Sequence, residues 1–185
     1  MLPTITGKRV AFVATDGVEH VELERPWEAV QSAGGQPELV SLNSGEIQTF
    51  NHLDKAGRWR VDAVVDEASP ENYDALVLPG GVANGDFVRA DDRAVSFVGE
   101  FTKAGKPVAV ICHGGWVLAE ANVVRGKRMT SWPSLKTDLR NAGADWVDEE
   151  VVVDGGLVSS RKPQDLEVFC DKTIEEIAQG IHAVA

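Results

Sequence analysis

Short apolar segments rich in β-branched residues recur along the chain, and each is bounded by glycine, proline, asparagine or aspartate. Such segments are typical of strands that are buried on both faces of a sheet. Two of them flank Asp154-Gly155-Gly156, which predicts a hairpin turn. The predicted strands are Arg9–Thr15, Glu38–Leu42, Ala75–Leu78, Pro107–Ile111, Val151–Val153 and Leu157–Ser160, with an edge or hairpin segment at Arg58–Val65 and a short strand at Arg128–Thr130.

Between these segments, apolar residues recur at the spacing of an amphipathic helix. The first such segment ends at Gly34-Gly35, in the manner of a helix C-cap. Asp91 precedes another and is a suitable N-cap. The predicted helices are Val21–Ala33, Asp91–Ala104, Trp116–Ala121, Leu135–Ala142 and Gln164–Gln179.

The alternation of strands and helices predicts a three-layer α/β domain with a mostly parallel, flavodoxin-like sheet. No repeat or linker interrupts the pattern, so we expect a single domain over residues 1–185. In such folds, ligands bind beyond the carboxyl ends of the strands. The candidate loops are Asp16–Glu19, Pro79–Asp86 and Cys112–Gly115.

Composition narrows the classes of partner. The formal net charge of -11 opposes binding to nucleic acids and to anionic membranes. The sequence contains no apolar run of the roughly 20 residues that a membrane span needs, and its start does not resemble a signal peptide. Two cysteines do not suggest a disulfide framework. These features predict a cytoplasmic protein.

The most distinctive motif is AVICHGG, in which an apolar strand leads directly into Cys112 and two glycines follow. This pattern predicts a nucleophile elbow, a tight strand-to-helix turn that exposes the sulfur. A helix N-terminus would favour the thiolate, and nearby backbone N–H groups would stabilise an oxyanion. The alternative is a buried cysteine without chemistry, which is our interpretation of Cys170 within a predicted helix.

His113 follows the cysteine and is a candidate general base or ion-pair partner. The side chains of adjacent residues in a tight turn usually point apart. Two other roles for His113 therefore remain open: it bonds to an acid elsewhere and affects the site only indirectly, or it merely fills the turn. The sequence contains no P-loop, G-x-G-x-x-G, HExxH or CxxC motif. We therefore expect neither a cofactor nor a metal ion.

Several motifs together resemble the ThiJ/PfpI family of cysteine-dependent proteins, which has the class I glutamine-amidotransferase-like fold. The similarity is greatest to the PfpI-type branch, described as intracellular peptidases, general stress proteins and glyoxal deglycases. The matching segments are RVAFVAT with VEHVELERP, DALVLPGG, KPVAVICHGG and VVRGKRMTSWPSLKTDLRNAGADWVDEEVVVDGGLVSSRKPQDL.

The resemblance implies a role for each matching residue. The implied set is Cys112 as nucleophile, His113 as its neighbouring histidine, Glu19 as the acid beside the sulfur, Gly81 and Gly114 as backbone donors, and Asp86 as the match to an acid that an adjacent subunit supplies to a Cys-His-acid triad. Two negative charges in one cleft resist simultaneous ionisation. The carboxyl group of Glu19 is therefore expected to keep its proton beside a Cys112 thiolate.

The resemblance also implies a function, which is that of a cytoplasmic stress-response enzyme acting on reactive dicarbonyls or on their protein adducts. One alternative is a peptidase that uses a Cys-His-acid set. Another is a redox sensor or holdase in which oxidation of Cys112 switches an interface. Because members of this family are usually dimers or larger assemblies, we also expect a homo-oligomer.

Overall fold

A computed structural model describes residues 2–183 as a central sheet with helices on both of its faces. The strands are β1 (Arg9–Val13), β2 (Val18–Glu19), β3 (Gln36–Ser41), β4 (Glu46–Asn51), β5 (Asp54–Arg60), β6 (Ala63–Val64), β7 (Ala75–Leu78), β8 (Val108–Ile111), β9 (Arg128–Met129), β10 (Asp145–Trp146), β11 (Val151–Asp154) and β12 (Leu157–Ser160). The helices are α1 (His20–Ser32), α2 (Val82–Arg89), α3 (Asp92–Lys103), α4 (Gly115–Glu120), α5 (Lys136–Asn141) and α6 (Leu166–Gln179).

Seven strands form the main sheet in the order β11-β12-β8-β7-β1-β3-β6. Every neighbouring pair is parallel except β11 and β12, which form the predicted antiparallel hairpin. Strands β1, β7 and β8 lie side by side in the middle of the sheet, so their carboxyl ends are neighbours. The residues that follow these three strands therefore meet at one edge of the sheet, where ligands bind in folds of this type.

Alternate residues of the central strands enter two separate apolar layers. In β1, Phe12 packs in the layer that contains residues of α1 and α6, whereas Val13 packs in the layer that contains residues of α3 and α4. Phe101 of α3 and Phe169 of α6 are fully buried, each in its own layer. Burying a side chain of this size contributes about 1.5–3 kcal/mol. The predicted three-layer α/β architecture with a mostly parallel sheet is confirmed.

The segment between β3 and β7 contributes two strands to a second, smaller sheet. Strands β4 and β5 form an antiparallel hairpin, and β4 pairs in parallel with β2 to complete three strands. Trp59 of β5 contacts Trp27 of α1 edge to face, with 5.3 Å between the ring centroids. The predicted segment Arg58–Val65 therefore divides between this hairpin and β6 at the edge of the main sheet.

The prediction of a loop over Pro79–Asp86 is wrong for residues 82–86, because residues 82–89 form helix α2. Asn84-Gly85 is a turn signal in the sequence. In the structure, however, the buried Asn84 side chain accepts a hydrogen bond from the Thr15 N–H at 2.8 Å and donates one to the Gly80 carbonyl at 3.0 Å. These two hydrogen bonds, one of them to a residue 69 positions away, satisfy the Asn84 side chain inside a helix and outweigh its local preference for turns.

Candidate active site

Cys112 lies at the turn between β8 and α4. Its backbone has a φ of +61°, which residues other than glycine rarely adopt, and residues Cys112–Gly114 form one turn of 3-10 helix before α4 begins. The side chain is 7% exposed and lines a cavity of about 790 Å³. The strained backbone turns the sulfur out of the sheet and towards this cavity, as a nucleophile elbow does.

The carboxyl group that faces the sulfur belongs to Glu22 and not to Glu19. Glu22 is fully buried in the first turn of α1, where its Oε2 accepts a hydrogen bond from the Gly80 N–H at 2.9 Å. Its Oε1 is buried without a hydrogen-bond partner. Gly80 lies against both groups, since a Cβ atom there would overlap Oε2 of Glu22 and lie 2.6 Å from the Cβ of Cys112.

Glu19 lies farther out, at the end of β2, and lines the same cavity. Its Oε2 accepts a hydrogen bond from the backbone N–H of His52, at the tip of the β4–β5 hairpin, at 3.0 Å. The segment VEHVE contains two glutamates three residues apart: Glu19 ends β2 and precedes α1, whereas Glu22 lies in the first turn of α1 and is fully buried. The sequence signal was therefore present but was assigned to the first glutamate.

Burial changes the ionisation of both groups at the centre of the site. It raises the pKa of Glu22 to about 8, with a further contribution from the charge of Glu19. The pKa of Cys112 is raised as well, by burial and by the charge of Glu22. The expected lowering of the thiol pKa is therefore wrong, because desolvation outweighs the favourable backbone groups. Glu22 takes the place of Glu19 as the carboxyl group that keeps its proton.

Two backbone N–H groups point at the sulfur, those of Gly81 and His113, and both lower the pKa of the thiol. Gly81 is one of the two expected backbone donors, whereas the N–H group of His113 takes the place expected for that of Gly114. Gly114 has a steric role instead, because a Cβ atom there would lie 2.7 Å from the Leu78 carbonyl oxygen. Gly81 has a φ of +92°, and a Cβ atom on it would overlap the Gly17 carbonyl oxygen.

His113 is close enough to the sulfur to exchange a proton with it, since its Nδ1 lies 3.2 Å from Cys112 Sγ. Its ring stacks on Trp132 at 5.7 Å between centroids and meets Trp116 edge on at 5.2 Å. Burial lowers the pKa of His113 to about 4, so the imidazole is neutral at pH 7. Among residues 2–183, no carboxylate makes a hydrogen bond or ion pair with this ring.

Asp86 is an exposed residue of α2 and lines the cavity together with Cys112 and His113. It makes no ion pair with any residue that the structure describes. The structure thus brings five of the six residues in the implied site to one cavity: Cys112, His113, Glu19, Gly81 and Asp86. Asn84, which sequence analysis missed, ties the ends of β1 and β7 together through the hydrogen bonds given above.

Residues 2–183 contain neither a metal-binding cluster nor a membrane-spanning helix. No group of three or more histidine, cysteine, aspartate or glutamate side chains there is arranged to hold a metal ion. None of the helices in this range combines the length and apolar character that a membrane span requires. The second cysteine, Cys170, is a buried free thiol of α6 that lies in the apolar layer against α1.

Replacing Glu22 by glutamine is expected to change how stability depends on pH. Glutamate in an unfolded chain ionises near pH 4.5, whereas folding raises the pKa of Glu22 to about 8. The stability present below pH 4.5 is therefore lost as pH rises to 8, by up to roughly 3–5 kcal/mol. Glu22→Gln removes this loss, so its free energy of unfolding exceeds that of wild type increasingly between pH 5 and 8.

Urea unfolding at several pH values measures this difference. Glu28→Gln is the matched control, because Glu28 is an exposed glutamate on the same helix. The control is expected to follow the wild-type profile. Parallel stability profiles for wild type and Glu22→Gln would show that Glu22 is not held in its protonated form.

Comparison with curated proteins and family profiles identifies relatives over most of the chain. The profile of the DJ-1/PfpI family matches residues 8–176. The chain is 44% identical to Deglycase PH1704 of Pyrococcus horikoshii over 85% of this chain and 92% of that protein. It is 38% identical to the putative cysteine protease YraA of Bacillus subtilis, over 88% and 94% of the two chains. It is also 38% identical to protein/nucleic acid deglycase 2 of Escherichia coli, over 88% and 93%.

Solved structures show the same fold. A two-domain protein from Anabaena variabilis with DJ-1/ThiJ/PfpI-like and ferritin-like domains superposes with a TM-score of 0.86 at 33% identity, over 92% of this chain and about half (48%) of that chain. Drosophila melanogaster DJ-1beta superposes with a TM-score of 0.79 at 24% identity, over 93% and 96% of the two chains. The family profile, the relatives and the fold agree, and the chain belongs to the DJ-1/PfpI family.

Proposed function

We propose that this chain is a cysteine-dependent enzyme that converts reactive dicarbonyls, and their adducts on protein side chains, to 2-hydroxy acids. The observation that carries the proposal is the pairing of Cys112 with Glu22 at the base of a cavity that opens to solvent. Oε1 of Glu22 has no hydrogen-bond partner. A proton on this atom, donated to the sulfur, would satisfy it and stabilise a thiolate. Relatives named deglycases support the same chemistry.

The reactive form of the Cys112–Glu22 pair is the thiolate beside the carboxylic acid, which forms when the pair gives up one of its two protons. His113 Nδ1, 3.2 Å from the sulfur, is the group placed to take that proton and pass it to water. The thiolate adds to the aldehyde carbon of methylglyoxal, a C–S bond forms, and the N–H groups of Gly81 and His113 hold the oxygen that becomes negative. Glu22 then gives its proton to that oxygen, and the product is a hemithioacetal.

The remaining steps need only water. One carbon-bound proton moves from the former aldehyde carbon to the neighbouring carbonyl carbon through an enediol, with His113 or Glu22 as the base. This converts the hemithioacetal to a thioester of the 2-hydroxy acid. Water cleaves the C–S bond, so the thiol is restored and lactate leaves. With an adduct on nitrogen, the new C–S bond replaces the C–N bond at the former aldehyde carbon, and the released nitrogen takes a proton. Where a second C–N bond joins the former ketone carbon, it breaks as the hydroxyl group on that carbon returns to a carbonyl and gives its proton to the second nitrogen.

Lactate formation tests the proposal. Purified wild-type protein incubated with methylglyoxal is expected to release lactate, measured with lactate dehydrogenase, and to regenerate arginine from a preformed adduct on Nα-acetylarginine amide. Protein alkylated beforehand at one thiol per chain, as verified by intact mass, is expected to release none. Equal lactate from blocked and unblocked protein would contradict the proposal.

A second candidate is peptide hydrolysis, because His113 Nδ1 lies 3.2 Å from Cys112 Sγ, as in a Cys-His pair. A working triad also requires an acid that orients His113. Asp86 of a second copy of the chain is the candidate, and the exposed apolar side chains around the cavity support a homo-oligomer on this face: Leu53, Val82, Phe87 and Trp132. Cleavage of a fluorogenic peptide that blocking the thiol abolishes, without lactate formation, would favour this candidate.

Part of the proposal is that the protein acts in the cytoplasm under stress. Both cysteines are free thiols, which fits a reducing compartment. If the protein proves inactive on dicarbonyls and peptides but gains two or three oxygen atoms at Cys112 in peroxide, it is a redox sensor or holdase instead.

A further inference from the structure

Asn84 is a polar side chain buried at the start of α2, next to the loop that contains Gly80 and Gly81. It is 2% exposed. Its Oδ1 accepts a hydrogen bond from the Thr15 N–H at 2.8 Å, while its Nδ2 donates to the carbonyl groups of Pro79 at 3.2 Å and of Gly80 at 3.0 Å. This combination of one acceptor and two donors on a single side chain is characteristic of an amide group.

The two carbonyl groups belong to successive peptide units, and each unit also carries an N–H group of the site. The unit between Pro79 and Gly80 includes the Gly80 N–H, which donates to Glu22 Oε2 at 2.9 Å. The next unit includes the Gly81 N–H, which points at the sulfur of Cys112. Both units are trans, so the C=O and the N–H of each point in opposite directions. A donor that holds both carbonyls on one side therefore directs both N–H groups to the other side, into the site.

The local backbone does not by itself fix these two peptide units, because glycine adopts many combinations of φ and ψ. The Gly80 carbonyl also accepts a hydrogen bond from the Glu19 N–H, at a longer 3.3 Å. Within residues 2–183, the Pro79 carbonyl has no hydrogen-bond donor other than Asn84. The Asn84 amide is thus the main hydrogen-bonding restraint on the carbonyl side of this loop.

We infer that Asn84 is a positioning residue, whose amide group aims two backbone N–H groups at the reacting atoms by holding the carbonyls of the same peptide units. Asn84 does not line the cavity, so it acts only through the loop. One N–H group keeps the Glu22 carboxyl group beside the sulfur, and the other stabilises the thiolate and the oxyanion. The role in turnover rests on the proposed function, whereas the role at the thiol does not.

The rate of Cys112 alkylation tests the positioning role without requiring turnover. In a Cys170→Ala background, iodoacetamide reacts with the one remaining thiol, at a rate that is proportional to the thiolate fraction. Asn84→Ala releases both carbonyls, so the Gly81 N–H is no longer held towards the sulfur. Alkylation near neutral pH is expected to slow by about tenfold, because the thiolate loses a hydrogen-bond donor.

Two controls separate this effect from a general loosening of the structure. Val88 is a buried apolar residue of the same helix. Val88→Ala weakens the packing of α2 but leaves the amide in place, and greater exposure of the sulfur would speed alkylation. The rate in Val88→Ala is therefore expected to equal or exceed that of the parent protein. Asn141→Ala removes an exposed asparagine of α5 and is expected to leave the rate unchanged.

Lactate formation is expected to show a loss of the same origin. The two N–H groups act on charge that develops during the reaction and not on the free substrate. The kcat of Asn84→Ala for methylglyoxal is therefore expected to fall by about tenfold to a hundredfold, whereas KM changes by less than about threefold. Val88→Ala is expected to keep its kcat within about threefold of wild type.

The hydrogen bonds of Asn84 are also measurable in the wild-type protein, whether or not Asn84→Ala folds. Nuclear magnetic resonance follows the exchange of side-chain amide protons with solvent. Those of Asn84 are expected to exchange at least about a hundredfold more slowly than those of the exposed Asn141.

The positioning role and the proposed function fail on different results. Alkylation of Asn84→Ala at the parent rate or faster, or side-chain protons that exchange as fast in Asn84 as in Asn141, would overturn the positioning role. A kcat that falls no further in Asn84→Ala than in Val88→Ala would contradict its part in turnover. Slower alkylation of Asn84→Ala, combined with a wild type that forms no lactate, would refute the proposed function and leave the role at the thiol supported.

Discussion

Replacing Cys112 by alanine is expected to lower lactate formation from methylglyoxal by at least about a thousandfold, because no other group at the base of the cavity can form the C–S bond. Water attacking the same carbonyl would have only the Gly81 and His113 N–H groups for assistance. The fold is expected to persist, since the substitution removes one sulfur atom from a cavity wall. Lactate release and circular dichroism measure the two effects.

The second cysteine provides the matched control. Cys170 is buried on α6 and is not among the residues that line the cavity, and burial raises the pKa of its thiol to about 12. Cys170→Ala is expected to lower stability slightly, by about 1 kcal/mol for the lost packing, and to keep wild-type activity. Activity that survives in Cys112→Ala, or that is lost in Cys170→Ala, would place the reacting sulfur elsewhere.

The second large effect is expected at Gly80, where the added methyl group of alanine has no space. That methyl overlaps Oε2 of Glu22 and lies 2.6 Å from Cys112 Cβ. Relief requires the carboxyl group to move away from the sulfur and from the Gly80 N–H that now binds it. We expect a loss of stability of about 1–3 kcal/mol and a fall in lactate formation of about a hundredfold or more.

Gly99→Ala is the appropriate control for this substitution. Gly99 is in the middle of α3, and an added Cβ would meet only Ala121 at an ordinary 3.7 Å. Alanine in a helix is favoured over glycine by roughly 0.8–1.0 kcal/mol, so this variant is expected to gain stability and keep its activity. If Gly80→Ala unfolds at the same urea concentration as wild type and remains active, the carboxyl group does not pack against that glycine.

The layered fold is predictable from the sequence because strands buried on both faces must be apolar at nearly every position. The segments RVAFV, ALVL and VAVI meet that requirement and become β1, β7 and β8. The rule that ligands bind beyond the carboxyl ends of such strands then led to the loop that carries Cys112. Helix α2 was missed because Asn84 is held in place by a hydrogen bond from Thr15, 69 residues earlier in the chain, which the local sequence does not reveal.

The location of the site was easier to predict from the sequence than the identity and ionisation of the residues in it. The choice between Glu19 and Glu22 depends on where β2 ends and α1 begins, and the segment VEHVE fits either glutamate. The direction of the thiol pKa depends on how deeply Cys112 is buried and on the charge of Glu22, and neither is a property of the local sequence.

The β4–β5 hairpin supplies Phe50, His52 and Leu53 to the cavity but contributes no strand to the main sheet. It is attached through the β2–β4 pairing and through Trp59 against Trp27. This wall of the cavity can therefore vary by itself. Insertions or deletions at the tip of the β4–β5 hairpin can reshape the cavity entrance while the strand registers of the seven-stranded sheet are preserved. The hairpin tip can therefore change, in nature or in the laboratory, to accept new ligands without altering the strand and turn that hold the nucleophile.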